Sequence, residues 1–141
     1  MSLFNVFNVS GSALNAETIR LNTTASNLAN AESVSGDSSK IYRARHPVFQ
    51  TMMNTSDAGF DGQGAATGVR VLGVVESQAP PLMRYQPDNP LANKDGYVFS
   101  SNVNSIEEMT NMISANRSFA TNIEAINTAR DLLLKTISMG R

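Results

Sequence analysis

The spacing of apolar residues in the last third of the chain predicts one long amphipathic helix. Between Asn104 and Ser138 these residues recur at steps of three and four, which places them on one face of an α-helix. The predicted seam consists of Met109, Met112, Ile113, Phe119, Ile123, Ile126, Leu133 and Ile137. No proline or glycine interrupts the segment, and at 1.5 Å per residue it spans roughly 50 Å. Other helices, from the same chain or from other copies, must cover its apolar face.

A second long helix is predicted at the N-terminus, from Phe4 to Ala31. Large residues repeat there every seven positions and smaller ones fall mostly between them, a spacing typical of a coiled-coil-like seam. The seam residues on this helix are Phe4, Phe7, Leu14, Leu21, Ala25 and Leu28. Gly11 lowers intrinsic helix stability by about 1 kcal/mol relative to alanine, so the helix is expected to need a partner. An amphipathic helix of an ordinary bundle fits the same pattern.

The segment between the helices predicts a small β unit of three to five short strands. Its first part, Ser33–Ser39, has a loop composition. β-Branched and aromatic residues favour strands at Lys40–Met53, Val69–Ser77, Leu82–Tyr85 and Tyr97–Phe99. The Asp95-Gly96 pair predicts a tight turn before the last of these. The glycine-rich residues 54–68 are expected to form a flexible hairpin tip or loop.

The predicted fold class is therefore α+β, with long N- and C-terminal α-helices packed as a coiled-coil-like pair or bundle and a small β-rich middle insert. We assign residues 1–33 to the N-terminal helix, 34–102 to the middle region and 103–141 to the C-terminal helix. Asn102 or Asn104 is expected to cap the second helix.

The two seams are expected to pair. The predicted contacts join Phe7, Leu14, Leu21 and Leu28 to Phe119, Ile123, Ile126 and Leu133, within one chain or between chains. A pair of helices leaves about half of its apolar surface uncovered, which predicts self-association.

The amino-acid composition and the net charge argue against several classes of function. Only 16% of the 141 residues are charged, against roughly 25% in ordinary soluble domains, which suits helices that contact protein on several sides. The net charge is −1 and no basic patch stands out, so nucleic acid is not an expected partner. The chain has no cysteine, which excludes disulfides and thiolate metal sites. The N-terminus lacks a basic region and is a poor secretory signal peptide.

No catalytic or cofactor site is expected. His46 is the single histidine, and a catalytic role, with Asp57 or Asp61 as its partner, would require a positioned nucleophile that the sequence does not provide. Gly62, Gly64 and Gly68 have a spacing one residue longer than the dinucleotide fingerprint, and a strand rather than a helix follows them. We therefore expect no enzyme activity, cofactor, metal or small-molecule substrate.

Several segments resemble the bacterial flagellar axial proteins, which form the rod and hook, and most closely those of the proximal rod. The N-terminal match runs from Ser12 to Gly36 and contains Asn27, Leu28, Ala29 and Asn30, the core of the axial-family motif. Further matches are Ile41–Gln50, Asn89–Val98 and Asn102–Arg141. The wider family often has a TPGY-like turn after the motif, whereas this chain has Ser33-Val34-Ser35-Gly36.

This resemblance implies a structural subunit of the basal-body rod. Such a subunit is exported by the flagellar type III apparatus without a cleaved signal peptide and lies in the periplasmic space. It packs with other copies of itself and with other rod proteins around the central export channel, and it transmits torque from the motor ring to the distal rod and hook. A cytosolic helical adaptor protein is the alternative interpretation of the same amphipathic helices.

Overall fold

The computed structural model describes residues 3–53 and 66–140 of the chain, with side chains for residues 5–53 and 68–140. Two long helices, α1 (Leu3–Ala29) and α2 (Ser105–Met139), lie near the two ends of the sequence. Strands β1 (Val34–Ser35), β2 (Arg45–Met53), β3 (Ala66–Glu76), β4 (Leu82–Tyr85) and β5 (Tyr97–Ser100) lie between them in the sequence. The predicted α+β fold class, with long terminal helices and a small β middle region, is confirmed.

The ends of the helices follow from local hydrogen bonding. The backbone N–H of Ile106 donates to Asn104 Oδ1 at 3.1 Å, so Asn104 is the N-cap of α2. Glu107 and Glu108 lie in the first turn, where the positive end of the helix dipole favours carboxylates. Helix α1 ends at Ala29, two residues before the predicted end, because the chain tightens there: the Asn30 N–H donates to both Ser26 O and Asn27 O.

Strands β1, β5 and β4 form a three-stranded antiparallel sheet in that order. Strand β1 lies inside the predicted loop Ser33–Ser39, so that expectation was wrong for two residues. Tyr85 of β4 pairs with Tyr97 of β5, and their rings meet edge to face with centroids 5.2 Å apart. Gly96, with φ of 79°, makes the predicted tight turn, and a Cβ on it would lie 2.9 Å from the Tyr85 ring.

Strands β2 and β3 pair in a separate two-stranded sheet. The Ser77 N–H donates to Ala44 O at 2.7 Å, immediately outside the two strands. Strand β3 begins at Ala66, so the last three residues of the predicted loop 54–68 are in strand, while residues 54–65 lie outside the described part of the chain. The strand predicted from Lys40 begins only at Arg45.

The chain divides into two compact units. One comprises Met1–Ile19, Val48–Gly73 and Ser114–Arg141, and the other comprises Arg20–Pro47 and Val74–Ile113. Throughout the described residues, neither helix is apolar enough along its length to cross a membrane.

The two units bury different kinds of side chain. In the unit that contains the strands β4 and β5, the buried apolar residues include Ile41, Val98 and Val103. In the other unit, the buried apolar residues among those described are the alanines Ala16, Ala115 and Ala129. Because burial stabilises roughly in proportion to apolar area, the described residues of the unit that contains Ala16, Ala115 and Ala129 provide only a small buried apolar core.

Candidate assembly surfaces

The apolar residues predicted as one seam on α2 separate into two sets in the structure. One set is half-buried and consists of Met112, Phe119, Ile126 and Leu133. The other set is exposed and consists of Met109, Ile113, Ile123 and Ile137. Each half-buried residue lies seven positions from the next, so these four form a single stripe on the helix. The exposed set is a further apolar surface that the described residues leave uncovered.

The predicted seam on α1 lies beside the most buried positions of that helix. Its large residues Phe7, Leu14, Leu21 and Leu28 are half-buried, Ala25 is exposed, and the Phe4 side chain lies outside the described ones. The most buried residues of α1 are instead small or polar: Ser10, Ala16, Thr24 and Asn27. The contacts predicted between the α1 and α2 seams stay a prediction.

The first asparagine of the axial-family motif, Asn27, is a hydrogen-bonding centre. Its side chain is only 1% exposed. The amide Nδ2 donates to the Arg45 carbonyl at 2.8 Å, and the amide oxygen accepts from the Arg45 N–H at 2.9 Å and from the Tyr42 hydroxyl at 2.9 Å. Asn27 thus pairs with both backbone groups of Arg45 as a neighbouring strand would, and it fixes the end of α1 to the start of β2.

Charged and aromatic side chains surround this contact. The Arg45 guanidinium bonds Glu76 at 2.9 Å and lies 5.3 Å from the centre of the Tyr42 ring, within the range of a cation–π contact. Burial raises the pKa of the Tyr42 phenol, while the charge of Arg45 acts in the opposite direction. Tyr42 therefore remains protonated near neutral pH and can donate its hydroxyl proton to Asn27.

Asn102 makes a second bridge to the same backbone. Its Oδ1 accepts from the Ala44 N–H at 2.8 Å and its Nδ2 donates to the Ala79 carbonyl at 2.9 Å. Together with the Ser77 N–H bond to the Ala44 carbonyl, these bonds satisfy both backbone groups of Ala44. Asn102 is therefore a bridging residue, and the capping role that the sequence left open between Asn102 and Asn104 belongs to Asn104.

The other motif residues shape the turn after α1. Asn30 Nδ2 donates back to Ser26 O at 2.8 Å, while the Asn30 carbonyl accepts from the N–H and the hydroxyl of Ser33. Leu28 is half-buried and Ala29 is exposed. The motif thus ends the helix and fixes the chain at one buried side chain, Asn27.

In the unit that contains the first part of α1, the strand β3 contacts the helix through Gly68 and Ser12. The Val69 N–H donates to Ser12 Oγ at 3.0 Å, and that hydroxyl donates to the Val9 carbonyl at 2.8 Å. A Cβ on Gly68 would lie 2.5 Å from Ser12 Oγ. Neither helix periodicity nor a motif predicts this contact, although a glycine directly before the alternating Val69 and Val71 is a signal for close approach of another backbone or side chain.

The residues considered for a catalytic role are His46, Asp57 and Asp61. His46 is exposed, and Asp57 and Asp61 lie outside the described part of the chain. Within that part, no group of three or more histidine, cysteine or acidic side chains could hold a metal ion. The features that the structure does bring together are apolar surfaces on the helices and the buried bridges at Asn27 and Asn102.

Comparison with known proteins identifies the family. Residues 7–36 match the family described as flagella basal body rod protein, and residues 94–139 match the family described as flagellar basal body rod FlgEFG protein C-terminal. The chain is 49% identical over 141 residues to the flagellar basal-body rod protein FlgC of Salmonella typhimurium, with all of both chains covered. It is 48% identical to FlgC of Escherichia coli O157:H7, again over the full length of both chains. The chain belongs to the FlgC family of flagellar basal-body rod proteins.

A more distant FlgC, that of Buchnera aphidicola subsp. Acyrthosiphon pisum, is 40% identical over 99% of this chain and 98% of its own length. Members of the FlgC family are structural subunits of the flagellar basal-body rod, and such a subunit assembles with other rod proteins. The resemblance read from the motif segments is thereby confirmed. The first family match contains the motif with Asn27, and the second contains Asn102 and α2.

Proposed function

We propose that this chain is a subunit of the proximal rod, that it lies in the periplasmic space around the export channel, and that it transmits torque between the motor ring and the distal rod and hook. Its function in this account is mechanical. Torque is shared among many lateral contacts, and long helices provide long surfaces for such contacts. No substrate or cofactor takes part.

The proposal depends on the exposed apolar surface of α2. It also depends on the full-length similarity of the chain to FlgC. Ile123, Leu134 and Ile137 are 41%, 53% and 66% exposed. Apolar side chains at regular helical spacing are costly in water and mark surfaces that other proteins cover. In a rod subunit, the proteins that cover them are neighbouring subunits.

We also propose that the chain reaches the periplasm through the flagellar type III apparatus, without cleavage of a signal peptide. In the unit that contains Ala16, Ala115 and Ala129, these alanines are the buried apolar residues among those described. Such a small core supports export as an unfolded chain, because native proteins are only marginally stable and a small core is readily unfolded. The chain also has no cysteine, so no disulfide can hinder its passage through the export apparatus.

The test is the location and the N-terminus of the protein in the cell. A tagged copy that replaces the native one should co-purify with basal bodies, and mass spectrometry of that material should find the encoded N-terminal peptide apart from removal of the initiator Met. Recovery only from the cytosol would instead support a helical adaptor protein. Recovery from basal bodies with a shortened N-terminus would contradict export without cleavage but not the rod function.

A further inference from the structure

One side of α2, within the unit that contains its C-terminal part, forms an open apolar groove. The groove has a volume of about 680 Å³, and Val6 of α1 lies on one side of it. Residues of α2 line the rest, among them Thr121, Ala125, Thr128 and Leu132. Apart from Leu132, these are small side chains, so the surface is a depression that large side chains could fill. We call these four residues the groove.

Another side of the same part of α2 carries large apolar side chains that project into solvent. Ile123, Leu134 and Ile137 are all more than 40% exposed. At 3.6 residues per turn, Leu134 and Ile137 lie within about 40° of Ile123 around the helix axis. These three residues therefore form one stripe, which we call the ridge.

The ridge and the groove lie on opposite sides of α2. Ile123 and Leu132 are nine positions apart, which corresponds to about 180° around the helix. Thr121, Ala125 and Thr128 lie within about 40° of Leu132. A chain with large residues on one side and a small-residue depression on the other is complementary to a second copy of itself.

A charged side chain lies at the groove and another lies at the ridge, and the two charges have opposite signs. Glu124 lines the groove, and Arg130 lies about 20° from Ile123 on the ridge side. Both side chains are exposed. Within the described part of the chain neither makes an ion pair.

We infer that the ridge on α2 of one copy packs into the groove of the next copy, with Arg130 of the first close to Glu124 of the second. This contact uses two different surfaces of one chain, so it is heterologous. Repeated heterologous contacts close into a ring or continue as a helix. The inference rests on the proposed rod function and specifies which surfaces the copies share.

Cysteine crosslinking tests the contact directly, because the chain has no cysteine of its own. Cells should co-express two single variants, Leu134→Cys on the ridge and Thr128→Cys or Thr121→Cys in the groove. Thr121 and Thr128 lie on either side of Glu124 in the sequence. One of them should therefore lie near Leu134 of the other copy, whether the two α2 helices pack parallel or antiparallel. After mild oxidation, a dimer is expected from the mixture with one of the groove variants and from neither variant alone.

The matched control replaces the groove cysteine by Asn15→Cys, an exposed position on α1, and should give no dimer. A dimer from Leu134→Cys alone would show that ridges meet ridges and would overturn the heterologous contact. Loss of the dimer from all mixtures, with both variants present in purified basal bodies, would also overturn it and would leave the rod function intact. Absence of the unaltered chain from basal bodies would contradict both.

Charge reversal identifies the partner. Glu124→Arg and Arg130→Glu should each reduce swimming, because each places two like charges at the contact. The double variant restores opposite charges only if both surfaces belong to copies of this chain, so it should swim better than either single variant. A double variant no better than the singles would overturn the second copy as the partner.

Discussion

The side-chain amide of Asn27 pairs with both backbone groups of Arg45, donating to its carbonyl at 2.8 Å and accepting from its N–H at 2.9 Å. These bonds join the last turns of α1 to the first residue of β2. The amide of Asn27 thus makes the two backbone hydrogen bonds that a neighbouring strand would make to Arg45. The motif that marks the family thus has a structural role that follows from its chemistry.

Replacing Asn27 with aspartate should destabilise the fold. The substitution exchanges the donor Nδ2 for a carboxylate oxygen that faces the Arg45 carbonyl, and it buries a negative charge. We expect the free energy of unfolding to fall by about 3 kcal/mol or more, because an uncharged buried polar group without its partner costs about 1–3 kcal/mol and a charged one costs more. Urea denaturation of the purified full chain, followed by circular dichroism, measures this change.

Asn15→Asp is the matched control for that variant, since Asn15 is an exposed asparagine on the same helix. It should unfold within about 0.5 kcal/mol of the unaltered protein, as surface substitutions usually do. Equal losses in the two variants would show that the bonds to Arg45 contribute nothing specific.

Asn102→Ala should loosen the chain around Ala44 without shortening α2. The substitution removes the acceptor for the Ala44 N–H, so the Ala44 amide should exchange its hydrogen faster. Asn104→Ala removes the cap of α2 and should cost about 1 kcal/mol while leaving the Ala44 amide protected. Hydrogen exchange resolved to single residues separates the two effects, and an unchanged rate at Ala44 in Asn102→Ala would contradict the bridge.

The sequence predicted the two long helices well, but it did not predict the hydrogen bonds of Asn27 and Asn102. Helix periodicity located α1 and α2 to within about two residues, because a repeat sustained over many turns averages out local exceptions. Asn27 was recognisable only as part of a family motif, and Asn102 only as one of two possible caps. Their partners lie 18 and 58 positions away in sequence, and no local pattern specifies contacts at that separation.

The apolar spacing also predicted a single seam on α2, whereas the structure divides these residues into a half-buried set and an exposed set. Met112 and Ile113 belong to one apolar pattern when read by spacing, yet the first is half-buried and the second is exposed. Periodicity identifies which residues share a broad face of a helix, but it cannot divide that face between the chain's own packing and a partner. That division depends on tertiary contacts.

Gly68→Ala should disturb the contact between β3 and α1. The added methyl would lie 2.5 Å from Ser12 Oγ and 3.2 Å from Ser12 Cβ. The hydroxyl cannot move aside without losing its bonds to Val9 and Val69, so we expect a loss of about 1–3 kcal/mol, as for other overpacked sites.

Gly11→Ala is the control for this variant, since no atom lies within 4 Å of a Cβ added there. Alanine favours the helix, so this variant should be up to about 1 kcal/mol more stable than the unaltered protein. Thermal unfolding of both variants measures the difference, and a Gly68→Ala protein as stable as Gly11→Ala would contradict the contact.

Leu21→Asp should abolish assembly and motility. Leu21 is half-buried on α1 in the isolated chain, and a carboxylate at that position would oppose the packing of the predicted seam against another helix. The adjacent Asn22 is exposed, and Asn22→Asp should swim normally. Soft-agar motility and recovery of basal bodies measure both outcomes. Normal swimming by Leu21→Asp would count against the seam.

Hydrogen exchange along α2 tests the central claim, that the exposed apolar surface of this helix is covered by other subunits. The full chain should be compared as a monomer, verified by sedimentation, and within purified basal bodies. We predict that the amides of residues 114–139 exchange faster in the monomer than in the basal body, where neighbouring subunits protect them. Full protection of both long helices in the verified monomer would contradict the account.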